Sequence, residues 1–177
     1  MTDVAVHGDY AELDESATLT IKRLLPGPIE RVWAHLAESD LRRQWLAAGE
    51  IDGRPGSRFE LVWRNNDLSD PPGNKPEGFG DEHRLESELT AFEPPRKLAF
   101  TWGSTGGVTF ELEPAGERVL LTVTHQRIAE RPSQLNISAG WHAHLDVLAA
   151  RLAGETPGPF WDHWVKLKAD YERRIPA

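Results

Sequence analysis

The sequence predicts an α+β fold in which a curved antiparallel sheet is covered by one long helix. Three observations carry this. Short segments of period-two alternation succeed one another from about residue 58 to residue 126, separated by glycine- and proline-rich turns. Apolar spacing switches to three and four over Ser138 to Ala153. The 177 residues suit one domain with a core large enough to enclose a small cavity.

In chain order, Tyr10 to Leu13 and Ala17 to Leu25 read as a hairpin about Asp14-Glu15, with Leu19 and Ile21 on one face. Pro26-Gly27-Pro28 interrupts it, and Pro28 suits a first helical turn because it has no N–H to leave unpaired. Ile29, Val32, Trp33 and Leu36 then give a short amphipathic helix over Pro28 to Ala37. Ser39 or Asp40 caps a second helix carrying Leu41, Trp45 and Leu46 and ending near Gly49. Glu50 to Gly53 is expected as a short strand. Arg58 to Arg64 alternates Phe59, Leu61 and Trp63 against charged partners. Asn65 to Asp81 is long and rich in Asn, Asp, Pro and Gly, as loops that act as lids or lack order are.

His83 to Phe92, Lys97 to Trp102, Val108 to Glu113 and Arg118 to Gln126 complete an antiparallel meander, each strand with one apolar face. Ser138 to Ala153 forms a helix about 24 Å long that spans the sheet and stops at Gly154. A last helix runs from Phe160 to Ile175, carrying Trp161, Trp164, Leu167 and Tyr171. Sheet and long helix then face each other as a helix-grip, with the two short helices closing one end. The domain is residues 1–177, with a core over about 18–153 and an additional C-terminal helix over 157–175. That helix is expected to pack outside the core or to form a homodimer contact.

Several segments resemble one known superfamily. Pro28-Ile29-Glu30-Arg31-Val32-Trp33 is similar to the opening helix of the START-related, or SRPBCC, superfamily, and Leu41-Arg42-Arg43-Gln44-Trp45 to its second helix. Arg54-Pro55-Gly56-Ser57-Arg58-Phe59 resembles its PGG-x-F turn, with Ser57 in place of the second glycine. Pro94 to Trp102 resembles PPRRLVFTW, Leu121 to His125 resembles LTLTH, and Gly140-Trp141 with Leu145 and Leu148 resembles the closing helix. Six pieces in this order point to the branch called activator of heat-shock protein 90 ATPase homologue-like. The superfamily includes lipid carriers, hormone receptors, polyketide aromatase/cyclases and co-chaperone domains, so the resemblance implies fold more strongly than activity.

Composition narrows the chemistry. Cysteine is absent, which excludes disulfides, thiolate nucleophiles and cysteine metal sites and fits a reducing cytoplasm. No run reaches a membrane span, and the acidic N-terminus is not a signal peptide. Net charge −8 argues against nucleic acid. No G-x-S-x-G is present. His142 and His144, two apart on a helix, point to different sides, and no metal or other cofactor is expected.

Seven tryptophans against two tyrosines predict a roomy aromatic interior. The expected function is binding of a small hydrophobic, ring-containing molecule between sheet and helix. Phe59, Leu61, Trp63, Leu85, Phe100 and Trp102 are expected to wall the pocket from the first sheet strands, with Trp45 guarding its mouth. Phe110, Leu121, His125, Trp141, His144 and Leu145 complete it. His125, alone among apolar neighbours on its strand face, is the best candidate for a general acid or base in a cyclase-like reaction; His144, His83 and Arg42 follow. Its other expected role is a hydrogen bond to a neighbouring backbone group or Trp. A co-chaperone-like interaction role rests on the family name only.

Overall fold

The computed structural model describes residues 10–103 and 106–175. Seven antiparallel strands form one sheet in the order β1-β2-β7-β6-β5-β4-β3. The strands are β1 (Glu12–Leu13), β2 (Leu19–Pro26), β3 (Arg58–Trp63), β4 (His83–Glu93), β5 (Lys97–Thr101), β6 (Gly107–Ala115) and β7 (Arg118–Gln126). Helices α1 (Ile29–Ala37) and α2 (Ser39–Arg42) lie between β2 and β3, and α3 (Arg131–Ala153) and α4 (Phe160–Arg174) follow β7. This is the α+β helix-grip arrangement the sequence predicts. The β3–β7 meander follows from the alternation, and β2 closes onto β7 over eight residue pairs, from Leu19 opposite His125 to Pro26 opposite Arg118. The register sends Leu19, Ile21, Phe110, Leu121 and Val123 into the core, where they meet Leu145, Leu148 and Leu152 of α3.

Three elements differ from expectation. The second helix is one turn, because Arg42 draws the following chain around itself. Its guanidinium donates to the carbonyls of Leu36 and Ala37, which α1 leaves open at its C-terminal end, and to those of Ala47 and Gly49. Residues 50–53 form no strand; a single bridge pairs Ala48 with Val62. Gly49, at φ 145°, passes so close to β3 that a Cβ would collide with the Glu60 carbonyl. The long helix begins at Arg131, seven residues earlier than its apolar stripe, since only Leu135 in that first stretch is a buried hydrophobe. Its 23 residues span about 35 Å.

The five consecutive residues Trp141 to Leu145 are all buried, so α3 is covered on more than its sheet-facing side. The second cover is α4, whose Phe160, Trp161, Trp164, Leu167 and Tyr171 are buried at helical spacing. A polar cluster joins these layers. Asp146 on α3 accepts from Arg23 on β2 at 3.1 Å and from His163 on α4 at 2.7 Å. The neighbouring His142 ring meets the Tyr171 hydroxyl at 2.9 Å. Burial alone would raise the Asp146 pKa, but the His163 hydrogen bond and the Arg23 charge outweigh it and hold the carboxyl below its ordinary value.

The loop over 65–81 opens with a 3-10 turn, Asn65–Asp67, and is tied to the start of α4. Trp161 N donates to Pro72 O at 2.9 Å, and Trp161 Nε1 to Asn66 Oδ1 at 2.8 Å. Phe160 N donates to Ser69 Oγ at 2.9 Å, and Asn74 N to Asp162 Oδ1 at 2.8 Å. No helix among the described residues is long and apolar enough to cross a membrane.

Candidate functional site

A cavity of about 340 Å³ lies where the ends of β3, β4 and β5 face α3 and α4. That volume falls within the range of small-molecule sites. The sheet side presents Trp63, the last residue of β3; His83, its register partner at the start of β4; and Trp102, just past β5. Their rings touch in sequence, Trp63 to His83 at 5.6 Å and Trp63 to Trp102 at 5.4 Å between centroids. Trp141 and His144 reach the cavity from α3, three residues apart and therefore on one face. Opposite them stand Phe160, Trp161 and Trp164 of α4. Phe79, from the loop, packs on Trp161 at 5.3 Å and on Trp164 at 5.2 Å and completes the outer wall. Five of the seven tryptophans line this one space.

Among the residues expected from sequence to wall a pocket, Trp63, Trp102, Trp141 and His144 are brought together on this cavity. Phe59, Leu61, Phe100, Phe110, Leu121 and Leu145 lie instead in the continuous core. There Phe59, Phe100 and Phe110 pack ring to ring at 5.8 Å, and Phe110 meets Trp141 at 5.7 Å. Leu85 is half-buried against that core. Trp45 is fully buried and does not line the cavity, although the next residue, Leu46, does; its indole N–H donates to His35 O at 2.8 Å and its ring packs on Phe110. Sequence reasoning placed the C-terminal helix outside the pocket, so it missed Phe160, Trp161 and Trp164, and it missed Phe79. The available signal was the aromatic stripe of α4 itself, which a helix docked only through aliphatic residues would not need.

Of the four buried imidazoles among the described residues, the two expected at the pocket, His125 and His144, have different jobs. His125 is 2% exposed and does not line the cavity. Its Nδ1 accepts from Trp141 Nε1 at 3.0 Å, and its ring lies 4.7 Å from that of Trp102. The accepting Nδ1 places the proton on Nε2. Burial pushes the pKa down to about 4, so the ring is neutral near pH 7. It braces two cavity tryptophans from behind. His144 lines the cavity and bonds the Trp45 carbonyl through Nδ1 at 2.8 Å, so Nδ1 carries the proton and Nε2 is left as an acceptor. Burial likewise lowers its pKa to about 4, partly opposed by that carbonyl. Arg42 belongs to neither arrangement. Burial lowers its pKa to about 10, which leaves it cationic among the carbonyls it holds. His83 sits exposed at the rim.

Comparison with known proteins agrees with this architecture. The protein encoded by gene BPP1335 from Bordetella parapertussis is 44% identical, with a TM-score of 0.78 over 94% of this chain and 90% of that one. CalU16 from Micromonospora echinospora shares the fold at 16% identity, with a TM-score of 0.64 and 93% of each chain covered. EF2215 from Enterococcus faecalis does so at 21% identity and a TM-score of 0.65, over 96% of this chain and 91% of its own. Comparison with curated proteins gives no match. The family model described as activator of Hsp90 ATPase homolog 1-like protein matches residues 26–153, from the end of β2 to the end of α3, and the chain belongs to that family.

Proposed function

We propose that this protein binds a small hydrophobic, ring-containing molecule in the cavity between the sheet end, α3 and α4. The observation that carries the reading is the convergence of Trp63, Trp102, Trp141, Trp161 and Trp164 on one space of about 340 Å³. Indole faces offer large apolar area in few rotamers, which suits a flat ring system. Four residues would orient the ligand: Trp63 and Trp102 from the sheet side, Trp141 from α3, and His144 through its free Nε2. Binding is preferred to acid–base chemistry centred on His125. That ring's Nδ1 is occupied by Trp141, and burial keeps its imidazolium far from the neutral range.

Native mass spectrometry tests the reading. Protein incubated with 2-naphthylmethanol is expected to gain the mass of one probe molecule, and Trp102→Ala is expected to lose most of that adduct. Equal adducts on both proteins, or none on either at saturating probe, would contradict it.

A further inference from the structure

Resting on that reading, we propose that the cavity selects a ligand carrying an organic cation, a protonated or quaternary amine on an aromatic body, over neutral and anionic relatives. The argument starts from what lines the space. Among the described lining residues there is no lysine or arginine. A carboxylate or phosphate entering it would surrender hydration and meet no cationic side chain in the lining, which is costly in an apolar surround; Lys168, 5.6 Å from the Trp164 ring centroid, stands outside that lining. Two carboxylates, those of Asp81 and Glu82, lie at the lip beside Phe79. Their cationic partners, Lys75 for Asp81 and Arg64 and Arg84 for Glu82, stand outside the lining. The Asp81 side chain remains 80% exposed, open to a second cation.

The walls add the attraction. Trp63, Trp102 and Trp141 form one aromatic bank, with Trp102 and Trp141 centroids 6.1 Å apart. Phe79, Trp161 and Trp164 form the other, with the two indoles 5.9 Å apart. Aromatic faces carry negative charge density, and tryptophan is the strongest such partner for an ammonium group. Of the polar side chains that α3 offers, His144 presents Nε2 as an acceptor, and Asn136 is a neutral amide that brings no positive charge. Aromatic banks, acidic lip and accepting imidazole therefore all favour the same sign of ligand charge.

The test uses three probes of one shape: (2-naphthylmethyl)trimethylammonium, 2-naphthylmethanol and 2-naphthoate. Calorimetric titration of the full chain is run at pH 8, where His144 is neutral. The cation is expected to bind about tenfold or more tightly than the alcohol, and the carboxylate most weakly. Asp81→Asn combined with Glu82→Gln is expected to reduce the affinity for the cation while leaving that for the alcohol in place; both residues are on the surface, so the fold survives. If the alcohol binds as tightly as the cation, or the carboxylate more tightly, charge selection is overturned and the cavity reading stands. If none of the three binds, both fail.

Discussion

The two ends of the aromatic interior are built from the same residue types and finish differently. At the α1–α2 end, Trp45 fills its space completely, held between the His35 carbonyl, Phe110 and the segment that Arg42 gathers. At the α4 end, Trp63, Trp102 and Trp141 point inward from the same sheet and helix, yet a cavity remains before Trp161 and Trp164. The difference lies in the closing element. Arg42 pulls four carbonyls inward and cinches the chain over the first end. A helix arriving from later in the sequence, with a loop laid on its N-terminal turn, roofs the second. An indole is therefore core or cavity wall according to what seals its end of the grip.

The largest expected effect breaks the sealed end. Trp45→Ala leaves a void in close-packed surroundings and is expected to cost about 4 kcal/mol in urea unfolding. Arg42→Leu removes the donor from four carbonyls at once and is expected to cost about 3 kcal/mol, with Arg42→Lys recovering only part because one ammonium cannot reach them all. The third effect is a pH dependence seated at the cavity end. His125 and His144 have folded pKa values of about 4 against an ordinary 6.5, so the unfolded chain binds more protons between those values. Their stabilising contribution is complete above pH 6.5 and is lost as pH falls toward 4. By pH 5 each is expected to contribute about 2 kcal/mol to the decline. His125→Gln or His144→Gln, compared with wild type at pH 7 and pH 5, is expected to show a shallower loss. The smallest effect belongs to the open end. Trp164→Ala enlarges a space already present and is expected to cost less stability than Trp45→Ala, while weakening naphthyl binding about tenfold.

This contrast also marks what the sequence makes legible. Alternation along β3 and β5–β7 identifies the inward faces, so Trp63, Trp102, Phe110 and Leu121 are all recognised as inward. Alternation carries no distance across the interior, so it does not separate Trp102, at the cavity, from Phe110, in the core. The start of α3 is hidden because Arg131 to Ile137 holds a single buried hydrophobe and owes its helix to continuity with the stretch beyond. The role of α4 is hidden for a different reason. Its stripe shows that one face is covered, but the partner lies on α3 and on the loop around Phe79, far away in the chain. His125 is the intermediate case: its place on an apolar strand face is evident from Val119, Leu121 and Val123, whereas its bond to Trp141 depends on the helix crossing at that level.

The seven tryptophans supply the most direct measurement, because each indole N–H gives its own resonance in a two-dimensional NMR spectrum. Titration with 2-naphthylmethanol is expected to shift the signals of Trp63, Trp102, Trp141, Trp161 and Trp164 and to leave those of Trp33 and Trp45 in place. Shifts spread evenly over all seven, or confined to Trp33 and Trp45, would contradict the assignment of one end as cavity and the other as core.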